Sequence, residues 1–108
     1  MLNTRIAIPA TATAAEVIEI KTLVSHPMES GFRYDLLGNR IPRNLLERFT
    51  CTYLGQTVIE VAFGTGVAAN PFLSFHLRAT STGPVVFEWI DQQGETTREV
   101  RQLAVTVG

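Results

Sequence analysis

Residues 45–63, LLERFTCTYLGQTVIEVAF, decide the fold of this chain. Side chains alternate along Leu45–Tyr53, and the tripeptide Leu54-Gly55-Gln56 has the composition of a turn. Thr57–Phe63 is therefore predicted to pair back on the first run as a β-hairpin. A helix over Arg43–Phe49, capped by Asn44, is the alternative, but the β-branched and aromatic residues that follow favour a strand. The predicted faces are Leu45, Glu47, Phe49, Cys51 and Tyr53 on one side, with Arg48, Thr50 and Thr52 on the other.

The chain after this hairpin repeats the same period of two. Leu73–Thr80, Val85–Asp91 and Thr96–Val107 read as strands, the last of them as one or two, with turn residues between them. The side chains predicted to face the core are Leu73, Phe75, Leu77 and Ala79 in the first of these runs and Val85, Phe87 and Trp89 in the second.

The chain before the hairpin adds two further strands. Arg5–Ile8 is short and ends at Pro9, and residues 10–15, ATATAA, read as a small-residue connector. Glu16–Ser25 alternates, with Ile18, Ile20, Thr22 and Val24 predicted to face the core. About seven short strands in this length predict an all-β, immunoglobulin-like antiparallel β-sandwich. We expect one domain over residues 1–108, with residues 1–15 forming a loosely ordered N-terminal strand and connector.

Composition argues against several classes of function. The chain has 9 basic and 10 acidic residues and a net charge of −1, with no basic run of the kind that neutralises nucleic-acid phosphates. No stretch has the roughly 20 apolar residues of a membrane helix. No secretory signal is recognisable at the start of the sequence, so the residues by themselves predict a cytoplasmic protein.

The long connection from His26 to Arg43, HPMESGFRYDLLGNRIPR, is predicted to be a recognition surface. Connections in compact domains average about 4–6 residues, and long ordered ones usually carry function. Met28 and Phe32 are either anchors that tuck into the core or exposed contacts. Arg33 and Arg43 are either solvated or paired with partner carboxylates. His26 either holds local hydrogen bonds or contacts a partner.

Cys51 is the single cysteine, so an intrachain disulfide is excluded. Its position between Phe49 and Tyr53 predicts a buried, inert thiol, with a contact or disulfide to another chain as the rival interpretation. Catalysis by Cys51 with His26 or His76 is a weaker alternative. No spacing indicates a metal site or a cofactor cradle. A generic immunoglobulin-like module that binds peptide or carbohydrate remains a further alternative.

Several motifs resemble the SoxZ family, over roughly Val17–Val107. Its specific core is the segment HPME…G.R, which contains His26-Pro27-Met28-Glu29, Gly31 and Arg33, followed by Gly38-Asn39 and Ile41-Pro42-Arg43. Weaker matches follow at Phe49-Thr50-Cys51, Tyr53, Gly55, Val58, Ala69-Asn70-Pro71-Phe72, Phe75, Arg78-Ala79, Gly83, Trp89-Ile90-Asp91 and Gly94. Leu54 and Gly64-Thr65-Gly66 depart from the family pattern, which leaves the identity of the partner open.

The resemblance implies a non-catalytic subunit without a cofactor. SoxZ proteins pair with SoxY, whose C-terminal Gly-Gly-Cys-Gly-Gly arm holds the sulfur intermediates of thiosulfate oxidation, while SoxAX and SoxB act on them transiently. Cys51 lies between two threonines and lacks flanking glycines, so we expect it not to carry sulfur. The resemblance also implies a periplasmic location, reached by export with a signal-bearing SoxY. His26, Met28, Phe32, Arg33, Arg43 and Cys51 are the predicted partner contacts, and the chain expressed alone is expected to be capable of pairing with itself.

Overall fold

The computed structural model describes residues 3–25, 34, 36–39, 45–63 and 71–107. These residues form eight strands and no helix. The strands are β1 (Asn3–Ala7), β2 (Thr11–Thr13), β3 (Val17–Ser25), β4 (Leu46–Tyr53), β5 (Gln56–Ala62), β6 (Phe72–Arg78), β7 (Gly83–Asp91) and β8 (Thr96–Thr106). The prediction of an all-β sandwich is confirmed.

The strands form two sheets of unequal width. One has three strands in the order β1-β3-β6, and the other has five in the order β2-β8-β7-β4-β5. Every pair is antiparallel except the parallel pair of β2 with β8. The inward-facing side chains of the two sheets make one core, as expected for two packed layers.

An aromatic cluster joins the two sheets at the centre of this core. The ring of Phe49 on β4 lies 5.0 Å from that of Trp89 on β7 and 5.9 Å from that of Phe75 on β6, centroid to centroid. Phe87 on β7 stacks at 6.5 Å from both Phe49 and Trp89. Because Phe75 belongs to the narrow sheet and the other rings to the wide one, Phe49 holds β6 above β4.

The predicted inward faces of three strands are confirmed. Ile18, Ile20, Thr22 and Val24 of β3 are buried, as are Val85, Phe87 and Trp89 of β7. In the predicted strand Leu73–Thr80, the side chains of Phe75, Leu77 and Ala79 are buried and that of Leu73 is partly buried. The last run is a single strand, β8.

The predicted face of β4 is wrong at its start. The pairing of β4 with β7 shifts register between Leu46 and Arg48, so Leu46 turns into the core while Glu47 and Arg48 are both exposed. Such a bulge places two residues opposite one and breaks the period of two. From Phe49 onward the predicted alternation holds, with Phe49, Cys51 and Tyr53 inward.

The predicted connector at residues 10–15 contains strand β2. Ala12 is buried and pairs with Val105, which makes Thr11–Thr13 an edge strand parallel to β8. The bend that follows contacts both sheets, since the Ala14 N–H donates to the Thr106 carbonyl at 2.8 Å and the Ala15 N–H donates to the Ala79 carbonyl at 2.7 Å. Ala15 adopts a φ of 73° to make these bonds.

The β4–β5 hairpin is confirmed, with Leu54 and Gly55 as its two loop residues. Their φ values of 53° and 78° are both positive, as a type I′ turn requires. Leucine seldom adopts this conformation. The Leu54 side chain lies over Gly83, where an added Cβ would come within 2.2 Å of its Cδ2.

Replacing Ala15 with glycine is expected to stabilise the fold by up to about 1 kcal/mol, because glycine adopts a positive φ without a Cβ clash. The matched control is Ala14→Gly, at a position that does not have a positive φ. This control should lower the free energy of unfolding by about 0.4–1 kcal/mol through unfolded-state entropy. Urea unfolding of both variants measures the difference, and equal losses in both would contradict the prediction.

Candidate partner interface

Five of the predicted contact residues lie outside the described residues. They are His26, Met28, Phe32, Arg33 and Arg43. Their assignment as partner contacts therefore stays a prediction. The structure does describe where the chain leaves the sandwich before them and where it returns.

Leu45, where the described chain resumes before β4, is held by the turn between β7 and β8. The Gln92 N–H donates to the Leu45 carbonyl at 2.9 Å, and the Leu45 N–H donates to Gln92 Oε1 at 3.3 Å. The buried Asp91 carboxylate shapes this turn by accepting the N–H groups of Gln93 and Glu95 at 3.0 and 2.9 Å. Gly94 completes the turn with a φ of 83°. These hydrogen bonds attach Leu45, the residue just before β4, to the turn at residues 91–95.

The places where the chain leaves and re-enters the described part lie at one end of the sandwich. Leu23 near the end of β3 pairs with Phe72 at the start of β6. The backbone carbonyl of Glu47, at the start of β4, accepts a hydrogen bond from the N–H of Phe63, which follows β5. The predicted recognition segment joins β3 to β4. Its two attachment points therefore lie at the same end of the sandwich as those of the segment that joins β5 to β6.

An exposed apolar patch lies beside this end, on the outer face of the narrow sheet. Phe72 is 58% exposed and lies next to Leu23 across the β3–β6 ladder. Together with Arg5 and Ala7 they line a shallow cavity of about 260 Å³. A large exposed aromatic in a small domain is a common element of binding surfaces.

A second, more polar groove of about 450 Å³ runs between β5 and β6. The β5 side contributes Gln56, Thr57 and Val58, and the β6 side contributes His76 and Arg78. His76 is exposed, as the alternation predicted. The sequence interpretation did not single out this groove, because which strands are neighbours across the sandwich is not a local property. The only local signal was the weak alternation over Thr57–Phe63.

Tyr53 closes one end of the groove and secures the loop between β6 and β7. Its hydroxyl oxygen accepts the N–H groups of Thr80 and Ser81 at 3.2 and 3.0 Å, and the hydroxyl donates to the Ser81 carbonyl. Burial raises the pKa of Tyr53, but the hydrogen bonds from Thr80 and Ser81 outweigh it, so the pKa lies below its ordinary value. These three bonds connect β4 to a loop 27 and 28 residues further along the chain.

Cys51 is fully buried on the inner face of β4, opposite Phe87 on β7 and Ile59 on β5. Burial raises the pKa of its thiol from 9.0 to about 12. The thiolate is the reactive form, so this environment suppresses nucleophilic chemistry at neutral pH. Burial is what the interpretation as an inert thiol expects, and a bond to another chain would require the sandwich to open.

Metal-ligating groups are not clustered in the part of the chain that the structure describes. No three of its His, Cys, Asp and Glu side chains lie close enough together to hold a metal ion. The described residues also contain no helix long and apolar enough to cross a membrane.

The geometry defines a class of protein: an immunoglobulin-like β-sandwich with a buried cysteine and exposed sheet surfaces. The family of sulphur oxidation protein SoxZ matches residues 6–102. The chain therefore belongs to the SoxZ family, as its motifs indicated. No curated protein matches the chain.

Several solved structures share the fold. The superoxide reductase (neelaredoxin) of Ignicoccus hospitalis is 15% identical with a TM-score of 0.74, covering 97% of this chain and 82% of that one. The sulfur carrier protein SoxY of Chlorobium limicola f. thiosulfatophilum is 16% identical with a TM-score of 0.67, covering 96% and 79%. The CARDB domain of a Pyrococcus furiosus protein is 10% identical with a TM-score of 0.54, covering 98% and 94%. At these identities the likeness shows the fold alone.

Replacing Cys51 with alanine should make the free energy of unfolding depend less steeply on pH above pH 9. The pKa of Cys51 is 9.0 in the unfolded chain and about 12 in the folded one. The folded state therefore gains stability from keeping this thiol protonated, and this gain is complete below pH 9 and lost as the pH rises toward about 12. The free energy of unfolding of the wild type relative to Cys51→Ala should fall by about 1.4 kcal/mol per pH unit across this range. Urea titrations at several pH values test this, and parallel profiles would contradict the assigned burial.

Replacing Tyr53 with phenylalanine is expected to cost about 1–3 kcal/mol, because two backbone N–H groups lose their acceptor. Tyr34→Phe is the matched control, since Tyr34 is 66% exposed and its change should stay within about 0.5 kcal/mol. Thermal unfolding of both variants gives the comparison. Equal stability of the two would show that the Tyr53 hydroxyl holds the loop no better than water does.

Proposed function

We propose that this chain is the non-catalytic partner subunit of a sulfur-carrier heterodimer. It pairs with a SoxY-like protein whose C-terminal cysteine arm holds covalently bound sulfur intermediates during thiosulfate oxidation. The observation that carries this proposal is the SoxZ family match over residues 6–102, which spans both sheets of the sandwich.

The state of Cys51 supports a role without sulfur chemistry of its own. A carrier thiol must reach the active sites of separate enzymes and must ionise to react. Cys51 does neither, because it is enclosed between β5 and β7 with a pKa of about 12. The covalent step is therefore assigned to the partner's cysteine, and this subunit contributes a binding surface.

The fold of the proposed partner supports pairing between similar domains. SoxY of Chlorobium limicola has the same sandwich architecture and is described as a sulfur carrier protein. Two such sandwiches each offer sheet edges and sheet faces through which a pair can form. In this proposal the residues His26, Met28, Phe32, Arg33 and Arg43 contribute contacts from the long connection, and SoxAX and SoxB bind the assembled pair transiently.

The proposal includes location in the periplasm, reached with a signal-bearing SoxY-like partner. Export as a folded pair requires a heterodimer that persists during transport. A domain of this size buries only about 60–70% of the surface of its unfolded chain, so covering apolar surface such as Phe72 would add stability by mass action.

Co-expression with the SoxY of the same organism, purified through a tag on this chain, tests the proposal. We expect a stable one-to-one complex, and after reaction with thiosulfate and the Sox enzymes we expect extra mass on SoxY alone by intact mass spectrometry. A tagged immunoglobulin-like domain from outside the family is the control for adventitious capture. Sulfur mass on Cys51, or no complex with SoxY, would overturn the proposed function.

A further inference from the structure

We propose that the outer edge of β5, with which no described strand pairs, receives a strand of the SoxY-like partner, so that the wide sheet continues across the heterodimer. This inference rests on the proposed function and assigns the surface that carries out the pairing. The edge lies within Gln56–Ala62, entirely inside the described residues.

The direction of the backbone groups along β5 follows from one hydrogen bond and the register. The Phe63 N–H donates to the Glu47 carbonyl at 2.9 Å, and the ladder pairs Val61 with Phe49 and Ile59 with Cys51. Hydrogen-bonded pairs alternate with non-bonded pairs in an antiparallel ladder. Val61 and Ile59 thus direct their N–H and C=O groups toward β4, while Glu60 and Ala62 direct theirs away from it.

No described strand pairs with this outer side of β5. The outward N–H and C=O groups of Glu60 and Ala62 therefore form a template for an added strand. A row of alternating donors and acceptors at strand spacing fits an extended polypeptide better than it fits a sugar or a small ion. This geometry favours a protein occupant.

The other three sheet edges carry features that discourage such pairing. β2 has only three residues. β1 carries Arg5 and is followed closely by Pro9, and β6 carries Arg78 with His76. β5 contains no proline, lysine or glycine, and its one charge is Glu60. Its register shift beside Cys51 leaves the stretch Ile59–Ala62 regular.

The apolar side chains of β5 are incompletely covered within this chain. Ile59 and Val61 face inward, yet they are only partly buried, as are Val58 and Phe63. The unequal width of the sheets accounts for this, because β6 contacts β4 through Phe75 and Phe49 and is the last described strand on its side of the narrow sheet. A partner strand beside β5 would place its own side chains against Ile59 and Val61 and remove their exposed apolar area from water.

Charge further defines the occupant. Glu60 is the single charged side chain of the edge strand, and a like charge directly opposite would be repelled. The partner strand is expected to present a basic or neutral residue there and apolar residues beside it. SoxY of Chlorobium limicola has the same fold, so a partner of its kind is built of strands that could pair in this way.

The substitution Glu60→Pro tests this assignment. Proline removes the outward N–H and places its ring on the edge, while the bonds of Ile59 and Val61 to β4 remain, as is tolerated on edge strands. Glu60→Gln is the matched control, because it removes the charge and keeps the N–H. With purified SoxY of the same organism, we expect Glu60→Pro to bind at least about tenfold more weakly than wild type and Glu60→Gln to stay within about threefold.

Hydrogen exchange of the wild-type chain is the second measurement, and it is independent of whether the proline variant folds. The amides of Glu60 and Ala62 are expected to exchange more slowly in the complex with SoxY than in the free chain. Unchanged exchange at both amides would overturn the edge assignment.

The outcomes separate this inference from the proposed function. If wild type and Glu60→Pro bind SoxY equally, the β5 assignment is wrong and the proposed function stands. If wild type does not bind SoxY, both are wrong. If β5 pairs only with a second copy, seen as a homodimer that Glu60→Pro dissociates and SoxY leaves intact, the assignment to SoxY is wrong.

Discussion

The contact of Phe49 with Phe75 is the constraint on which the rest of the structure depends. It joins the two sheets through fully or nearly fully buried rings, and Trp89 and Phe87 pack behind it. Phe49 also fixes the phase of β4, because every second residue after it must face the same core. Cys51 and Tyr53 are therefore inward. The inert thiol and the tyrosine that holds the β6–β7 loop are both consequences of one aromatic position.

The same contact determines which surface is left for a partner. With β6 held above β4, the narrow sheet has no further described strand on the side of β5. A domain of 108 residues has little core with which to offset uncovered apolar side chains. Natural sandwiches commonly shield such an edge with charge, proline or a strong bulge. β5 has one charge, Glu60, and a register shift beside Cys51, but no proline. Under the proposed function, the exposed strand is retained because the partner covers it.

Sequence alternation predicted those strands whose two faces differ clearly in polarity, as in β3, β6 and β7. It failed at the start of β4, since the adjacent leucines Leu45 and Leu46 are both buried and only the register with β7 shows that a bulge accommodates them. It also missed β2, whose small residues form a strand only because β8 lies beside them. Of the proposed binding surface, the composition of His26–Arg43 predicts a recognition segment, and this stays a prediction because its candidate contact residues lie outside the described residues. The sequence could not identify the β5 edge, because sheet order is a property of the whole fold.

The proposed separation of roles between two similar sandwiches has a physical rationale. A thiol that carries reactive sulfur needs solvent access and a mobile support, while a recognition surface needs side chains held in fixed positions. One small domain satisfies both demands poorly, because a mobile arm contributes nothing to the core. In this chain the single cysteine has the environment of a core residue, and its β-branched and aromatic neighbours on β4 and β5 pack in the same core. The strand that buries the thiol thereby also aligns the adjacent edge for binding, so burial of Cys51 and presentation of β5 arise from the same packing.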